Sequence, residues 1–271
     1  MSYYETLGLE REPFSNSPDP AFFYRSSAHH TAIQRAEIAI RLKRGLSVIL
    51  GDVGIGKTTM SRALLQSFAQ DDDTIFHIIL DPCYNSEYQF LASLLKMFGI
   101  GQSSRTTLDC KEEIEKYLFR KGVEENKTVV LLIDEAQKLS APFLEQLRTL
   151  LNYETNEFKL LQLVMVSQME LLPRIKRINN FFDRIALKYI INPLDEEETR
   201  ELIEFRLREA GLDRARRLFT DGAIRRVFDY AQGYPRKTAN VCHNALEALV
   251  MYEKSLVDEE LMARVIEREI V

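Results

Sequence analysis

The stretch that decides the fold is the octapeptide at residues 51–58, which reads Gly51-Asp52-Val53-Gly54-Ile55-Gly56-Lys57-Thr58. The residues before it, Leu46 to Leu50, form a short apolar run that predicts a buried strand. The residues after it, Thr58 to Phe68, place their apolar side chains at helical spacing. A glycine-rich loop between a strand and a helix is the context in which this pattern binds phosphate, because backbone N–H groups and the positive end of the helix dipole surround the anion.

The loop therefore predicts a binding site for a nucleoside triphosphate and Mg²⁺, formed by the octapeptide together with Thr59. Lys57 is expected to reach the β- and γ-phosphates, and the Thr58 hydroxyl is expected to bind Mg²⁺. The alternative is a glycine-rich turn with an incidental lysine. The matching strand and helix on its two sides disfavour that alternative.

A second motif follows the apolar run from Val129 to Ile133, which predicts a central parallel strand and ends in Asp134-Glu135-Ala136-Gln137. Two carboxylates at the end of a buried strand are a common and weak signal when they stand alone. Together with a phosphate loop they indicate a nucleoside triphosphatase. In that site Asp134 serves the Mg²⁺ shell, and Glu135 polarises the attacking water as a catalytic residue.

Composition narrows the class of protein. A chain of 271 residues can form one large α/β domain and a small satellite. The net charge of −5 argues against a protein that coats nucleic acid by charge alone, but it does not exclude a local basic strip. The three cysteines form no CxxC pair, and no apolar run is long enough to span a bilayer. From these features we expect a reduced, cytoplasmic protein.

Strand and helix patterns alternate up to Ile191 and predict an α/β fold with a doubly wound parallel sheet. The predicted strands are residues 46–50, 74–80, 128–133, 160–166 and 186–191. After Ile191 only helical patterns follow, and Asp195 is placed to cap the first of these helices. The predicted domains are an aromatic, proline-containing N-terminal arm at 1–26, an α/β domain at 27–194 and an all-helical lid at 195–271.

Further motifs make the chain similar, over essentially its whole length, to AAA+ ATPases of the ExeA/GspA type, a group associated with type II secretion and related envelope assembly. These motifs are Tyr4-Glu5-Thr6-Leu7-Gly8-Leu9 with Pro13-Phe14 and Pro18-Asp19-Pro20, then Ile133 to Gln137, and then Gly233-Tyr234-Pro235-Arg236 with Asn240. The resemblance implies an AAA+ P-loop NTPase fold, hydrolysis of ATP with Mg²⁺, and a homo-oligomer in the form of a ring or filament.

The resemblance also implies roles for four residues. Gln168 or Ser167, at the end of the fourth strand, matches the γ-phosphate sensor. Arg184 matches the arginine finger that one subunit supplies to its neighbour, and Arg236 matches a second sensor in the lid. The alternatives are an ion pair on its own surface for Arg184 and an ordinary helix start for Arg236.

Two features leave their interpretation open. Asp81 stands where the group commonly has asparagine, so whether it acts as a switch for Glu135 is undecided. The sequence also contains two clusters of basic residues. The favoured interpretation is that they form a solvated surface; the other interpretation is that they contact DNA in an assembled ring. Their members are Arg174, Lys176 and Arg177 in the first cluster and Arg214, Arg216, Arg217, Arg225 and Arg226 in the second.

Two functional hypotheses follow. The first is an ATPase that drives assembly or secretion of an envelope or surface system, at the inner membrane through a membrane or envelope partner. Secretion members of the group continue into a membrane span and a cell-wall-binding domain, whereas this sequence ends at Val271, so we expect a separate partner. The second is a DNA-binding regulator that selects transposition targets with a transposase, although no helix-turn-helix or zinc finger is evident. A slow nucleotide switch is disfavoured by Glu135 and Arg184.

Overall fold

The computed structural model describes residues 2–17, 19–101 and 106–270, so Pro18 of the N-terminal motif lies outside the described residues. The chain forms two compact units. The sheet unit comprises His29–Asp52 and Met60–Ile191. The lid unit comprises Met1–Ala28, Val53–Thr59 and Asn192–Val271, so that it includes most of the phosphate loop and the N-terminal arm.

The sheet unit contains five parallel strands in the order β2-β3-β4-β1-β5. They are β1 (Leu46–Gly51), β2 (Thr74–Ile79), β3 (Thr128–Ile133), β4 (Leu161–Ser167) and β5 (Ile185–Ile191). Every residue of β1 and β4 is buried, as expected for strands covered on both faces. In register, Leu131 of β3 lies beside Leu163 of β4, and Leu46 of β1 lies on the other side of Leu163. All five predicted strands and the predicted parallel sheet are confirmed.

Eleven α-helices accompany the strands among the described residues. They are α1 (Tyr3–Thr6), α2 (Ser27–Arg41), α3 (Lys57–Ser67), α4 (Glu87–Met97), α5 (Thr107–Phe119), α6 (Ala141–Leu150), α7 (Leu171–Lys176), α8 (Glu196–Glu209), α9 (Asp221–Ala231), α10 (Pro235–Met251) and α11 (Glu259–Ile270). Helix α6 begins three residues before its predicted start at Leu144, because Pro142 fits the first turn, where its missing N–H has no helical acceptor. Helix α7 was not predicted.

The lid unit has a core formed by α8 to α11 and by apolar residues of the arm. Phe14 is 1% exposed and meets the ring of Phe219 edge to face, with ring centroids 6.2 Å apart. The backbone N–H of Glu10 donates to the Ala210 carbonyl oxygen at 2.8 Å. The arm therefore packs by its aromatic side chains, as its sequence predicts. The described part of the lid contains no strand, only an isolated bridge between Phe219 and Val257.

The predicted cap of the lid is also confirmed. The side chain of Asp195 accepts a hydrogen bond from the Glu198 backbone N–H at 2.8 Å, which satisfies one of the unpaired donors at the start of α8. Throughout the described ranges, no helix combines the length and apolar character that crossing a bilayer requires. The three cysteines, Cys83, Cys110 and Cys242, are free thiols.

Candidate nucleotide site

The phosphate loop leaves the end of β1 and enters α3, as the sequence predicts. Gly54 has a φ of 80° and Gly56 a φ of 99°, a left-handed conformation that glycine adopts without steric cost. Lys57 is the first residue of α3, and its side chain is largely buried. Thr58 follows within the first turn. The loop thus ends on the N-terminus of an 11-residue helix, where backbone N–H groups without helical partners attract an anion.

Within the lid unit, the phosphate loop contacts the start of α10. The backbone N–H of Arg236 donates to the Gly54 carbonyl oxygen at 3.1 Å. A Cβ atom on Gly54 would lie 3.0 Å from the Cβ of Arg236, so a side chain at residue 54 would require Arg236 to shift by a few tenths of an ångström. The structure therefore brings the predicted lid sensor to the loop, with the Arg236 side chain exposed.

Gly233 fixes where α10 begins. Its φ is 75°, and a Cβ atom at this position would lie 1.9 Å from the Leu194 carbonyl oxygen. The Leu194 backbone N–H donates to the Gly233 carbonyl oxygen at 3.0 Å. Pro235 then occupies the first turn of α10, where proline is preorganised for a helix. This turn needs glycine, and it determines the position of the Arg236 N–H.

Within the sheet unit, the ends of β3 and β4 lie side by side because the two strands are parallel neighbours. Asp134 directly follows β3 and is 1% exposed, and its Oδ1 accepts the Glu135 backbone N–H at 2.9 Å. Glu135 has a φ of 52°, in the left-handed region that few residues with a Cβ adopt. Such conformations cluster at functional sites, where surrounding contacts hold them.

Gln137 connects the two strand ends. Its Nε2 donates to Glu135 Oε2 at 2.6 Å, and its Oε1 accepts from the Gln168 backbone N–H at 3.2 Å. The Ser167 hydroxyl lies 3.0 Å from the same Oε1 and is fully buried. The structure thus brings Glu135 together with both sensor candidates. Of the two candidates, Gln168 is partly exposed, whereas Ser167 is enclosed.

Arg174, on α7, holds the segment after β3. Its Nη1 donates to the Gln137 carbonyl oxygen at 2.6 Å and lies 3.4 Å from the Leu139 carbonyl oxygen. The sequence favours a solvated surface for the cluster that contains Arg174, and in the structure Arg174 is exposed while its guanidinium contacts these two backbone carbonyl groups. The motif after β3 contains Gln137, for which the sequence alone predicts no role. The feature that could have identified it is its position two residues after Glu135, at the end of a buried strand.

Asp81 follows β2 and is paired away from Glu135. Its Oδ1 accepts from Lys138 Nζ at 2.8 Å, in an exposed ion pair. The hydrogen bond to Asp81 raises the pKa of Lys138. In this structure the carboxylate of Glu135 is therefore held by the amide of Gln137 and not by Asp81.

Arg184 ends a 3₁₀ turn just before β5 and is partly exposed. Its guanidinium donates to the side-chain oxygen of Asn152. Among the described residues it forms no direct ion pair, but the pKa of Glu145 is lowered by the hydrogen bond from Arg148 and, to a lesser degree, by the charge of Arg184. Within the sheet unit it makes no hydrogen bond to Asp134, Glu135 or Gln168, in contrast to the group gathered around Gln137.

The side chains available for a metal are oxygen donors. In the sheet unit Asp134 offers a buried carboxylate, and in the lid unit Thr58 offers a hydroxyl; each, taken by itself, is an oxygen ligand of the kind that Mg²⁺ prefers. The described ranges contain no group of three or more His, Cys, Asp or Glu side chains placed to hold a metal by themselves. This composition fits Mg²⁺, which takes one or two protein ligands and completes its octahedron with phosphate oxygens and water.

Comparison with known sequences gives a family and two relatives. The model of the AAA domain family matches residues 40–175. General secretion pathway protein A of Aeromonas hydrophila is 32% identical over 248 residues, which cover 91% of this chain and 44% of that protein. An uncharacterized HTH-type transcriptional regulator of Methanocaldococcus jannaschii is 26% identical over 158 residues, or 56% of this chain and 38% of that protein. The chain thus spans less than half the length of both relatives.

Solved structures confirm the fold. The ORC2 protein of Aeropyrum pernix, in ADPNP-ADP complexes, superposes with a TM-score of 0.68 at 17% identity, covering 95% of this chain and 71% of that one. Cdc6p of Pyrobaculum aerophilum gives 0.69 at 14% identity, covering 90% and 67%. The RuvB branch migration motor of Thermotoga maritima gives 0.58 at 13% identity, covering 91% and 72%. At such identities the likeness concerns the fold alone.

Proposed function

The chain belongs to the AAA domain family, and we propose on that basis that it binds ATP with Mg²⁺ and hydrolyses it. One observation carries the proposal. The phosphate loop lies between the buried strand β1 and helix α3, with its glycines in the left-handed conformation and Lys57 at the first helical position. A loop in this context positions backbone N–H groups and a lysine for phosphate oxygens.

Each candidate residue has a distinct task in the proposed reaction. Lys57 and the backbone of the loop hold the phosphates, and Arg236 contacts the nucleotide from the lid. Thr58 and Asp134 hold Mg²⁺, which neutralises charge on the phosphate oxygens when it is bound. Glu135 orients the attacking water, and Gln168 senses the γ-phosphate. Phosphoryl transfer needs positioning and charge stabilisation more than covalent chemistry, so these roles suffice for hydrolysis.

We further propose that hydrolysis takes place at subunit interfaces of a homo-oligomer. Arg184 supports this role because it is partly exposed and its guanidinium donates to the neutral side chain of Asn152, with the carboxylate of Glu145 as a nearby charge. An arginine that meets the γ-phosphate of a neighbouring subunit accelerates phosphoryl transfer by several orders of magnitude. A head-to-tail contact of that kind closes into a ring or continues as a filament.

The relation to general secretion pathway protein A supports a biological setting. We propose that the ATPase drives assembly or secretion of an envelope or surface system. Its partner in this setting is a membrane or envelope component, which places a cytoplasmic ATPase at the inner membrane.

A mixing experiment tests the proposed site and the proposed assembly together. ATPase rate is measured against protein concentration for the wild type, for Lys57→Ala, for Arg184→Ala and for mixtures of the two variants. We expect the rate per subunit to rise with concentration, both variants to be inactive alone, and the mixture to recover turnover, because each variant supplies what the other lacks. A rate per subunit independent of concentration, with no recovery on mixing, contradicts an interfacial Arg184.

The exposed arginines of the lid favour one alternative, a DNA-binding regulator that works with a transposase. Arg214, Arg217, Arg225 and Arg226 are exposed and form no ion pair with a described residue. The discriminating measurement is ATPase rate with and without duplex DNA at several salt concentrations. Stimulation that falls steeply with salt supports this alternative, because phosphate contacts release counterions. A rate indifferent to DNA at low salt contradicts it.

A further inference from the structure

We propose that Gln137 is a positioning residue for ATP hydrolysis, and that its amide links the carboxylate of Glu135 to the end of β4, where Gln168 lies. This inference rests on the proposed function, because it assigns Glu135 to the attacking water. It adds a residue and a physical connection that neither the sequence motifs nor the family relation supplies.

The orientation of the Gln137 amide follows from the chemistry of its partners. The backbone N–H of Gln168 can only donate, so the Gln137 atom 3.2 Å from it must be the oxygen Oε1. A carboxylate oxygen accepts hydrogen bonds, so the Gln137 atom 2.6 Å from Glu135 Oε2 is assigned as the nitrogen Nε2. The two partners agree on one orientation, which removes the usual ambiguity between amide nitrogen and oxygen.

The amide is held firmly enough to act as a connection. Gln137 is 7% exposed and lies in the 3₁₀ turn Ala136–Lys138. Its own carbonyl oxygen accepts from Arg174 Nη1 at 2.6 Å. The Ser167 hydroxyl lies 3.0 Å from Oε1 and 3.1 Å from the Gln168 carbonyl oxygen, so its single proton serves one of these two acceptors. Backbone and side chain of Gln137 are thus both fixed.

Glu135 depends on this connection. Its left-handed backbone costs about 1–2 kcal/mol in a residue with a Cβ, so surrounding contacts must hold it. Among the described residues, Gln137 is the one side chain that donates to the Glu135 carboxylate. Asp81, the other candidate from the sequence, is engaged by Lys138.

For catalysis, this connection makes the position of Glu135 depend on the position of Gln168. A movement of the Gln168 backbone, when its side chain meets the γ-phosphate, displaces Oε1 and with it the donor to Glu135. The position of the water-orienting carboxylate therefore follows the position of the sensor. Because a misplacement of about 1 Å can cost about 100-fold in rate, removing the amide should lower kcat strongly. It should leave KM nearly unchanged, because neither Gln137 nor Glu135 holds the phosphates in the ground state.

Gln137→Met tests the connection, because methionine keeps the length and volume of glutamine but has no amide. Gln146→Met is the matched control. Gln146 is also 7% exposed, lies in the same unit and donates to a carboxylate, that of Glu87 on α4. We expect kcat to fall about 10–100-fold in Gln137→Met, with KM and ATP affinity within about 2-fold of the wild type. In Gln146→Met kcat should stay within about 2-fold, with a smaller loss of thermal stability, because the Oε1 of Gln146 is buried without a hydrogen-bond partner.

A double variant separates positioning from a general structural defect. If Gln137 acts through Glu135, adding Gln137→Met to Glu135→Gln should cause no further loss of single-turnover rate. Losses that multiply, or a Gln137→Met protein that turns over like Gln146→Met, overturn the proposed connection. Absence of ATP hydrolysis in the wild type itself has another meaning. It refutes the proposed function, and the role of Gln137 in hydrolysis with it.

Discussion

Gly233→Ala is the substitution for which the structure allows the sharpest estimate, with Gly8→Ala as its control. Both glycines lie in the lid unit, with φ values of 75° and 76°. They differ in their surroundings. A Cβ on Gly8 would have its nearest neighbour at 3.6 Å, an ordinary contact. A Cβ on Gly233 would lie 1.9 Å from the carbonyl oxygen and 2.8 Å from the backbone nitrogen of Leu194.

The difference in surroundings determines how much free energy of unfolding each substitution should cost. In both variants the alanine must adopt a left-handed backbone conformation, which lowers the free energy of unfolding by about 1–2 kcal/mol. At residue 233 the new methyl group must also displace backbone, and overpacking of this kind costs about 1–3 kcal/mol more. We therefore expect a loss of about 1–2 kcal/mol for Gly8→Ala and about 2–5 kcal/mol for Gly233→Ala.

The same displacement should reach the phosphate loop. Gly233 sets the start of α10, and the Arg236 N–H at that start donates to the Gly54 carbonyl oxygen. Losing one hydrogen bond of this kind corresponds to about 2–10-fold in affinity, so Gly233→Ala should bind ATP more weakly, whereas Gly8→Ala should not. Urea unfolding and equilibrium ATP binding measure the two effects. Equal destabilisation of both variants with unchanged ATP affinity refutes the reasoning.

Three further outcomes are expected. Asp81→Asn should leave kcat within about 2-fold and unfolding free energy within about 0.5 kcal/mol, because its ion pair is exposed and does not hold Glu135; a large loss of ATPase rate contradicts this. Burial lowers the pKa of His77 below its usual 6.5, so as pH falls below about 6.5 the unfolded chain binds the proton more readily and stability declines. When the pH is lowered from about 7 to about 5, the thermal stability of the His77→Phe protein should therefore fall by less than that of the wild type; an equal fall in both proteins contradicts a lowered pKa of His77. Phe14→Ala should cost about 3–5 kcal/mol, because Phe14 is buried in the lid core; a loss below about 1 kcal/mol by urea unfolding shows that the arm is not part of that core.

The fold was predictable where the sequence pattern is long or unambiguous. The continuous apolar run of β3 indicates a strand buried on both faces, and the phosphate loop fixes the strand and helix beside it. Helix α7 escaped prediction because its six residues are too few to show a period, and Pro173 lies inside them. The start of α6 was misplaced because Pro142 reads as a helix breaker although it stands in the first turn.

The candidate site also contains residues that could be predicted from the sequence and contacts that could not. Lys57 and Asp134 stand in motifs that a reader of the sequence can identify, because the chemistry of each depends on its immediate neighbours. The contact of Gln137 with the end of β4 depends instead on which strands are adjacent. Gln137 and Ser167 are 30 residues apart, and only the strand order makes them neighbours. Contacts of this kind follow from topology, which local sequence patterns do not specify.

The most direct test of the proposed ATPase compares equilibrium ATP binding with single-turnover hydrolysis in three proteins, the wild type, Lys57→Ala and Glu135→Gln. The wild type is expected to bind Mg²⁺-ATP and hydrolyse it. Lys57→Ala should lose binding, whereas Glu135→Gln should bind with near wild-type affinity and hydrolyse at least about 100-fold more slowly. Unchanged ATP affinity in Lys57→Ala, or hydrolysis at the wild-type rate in Glu135→Gln, contradicts the proposed site.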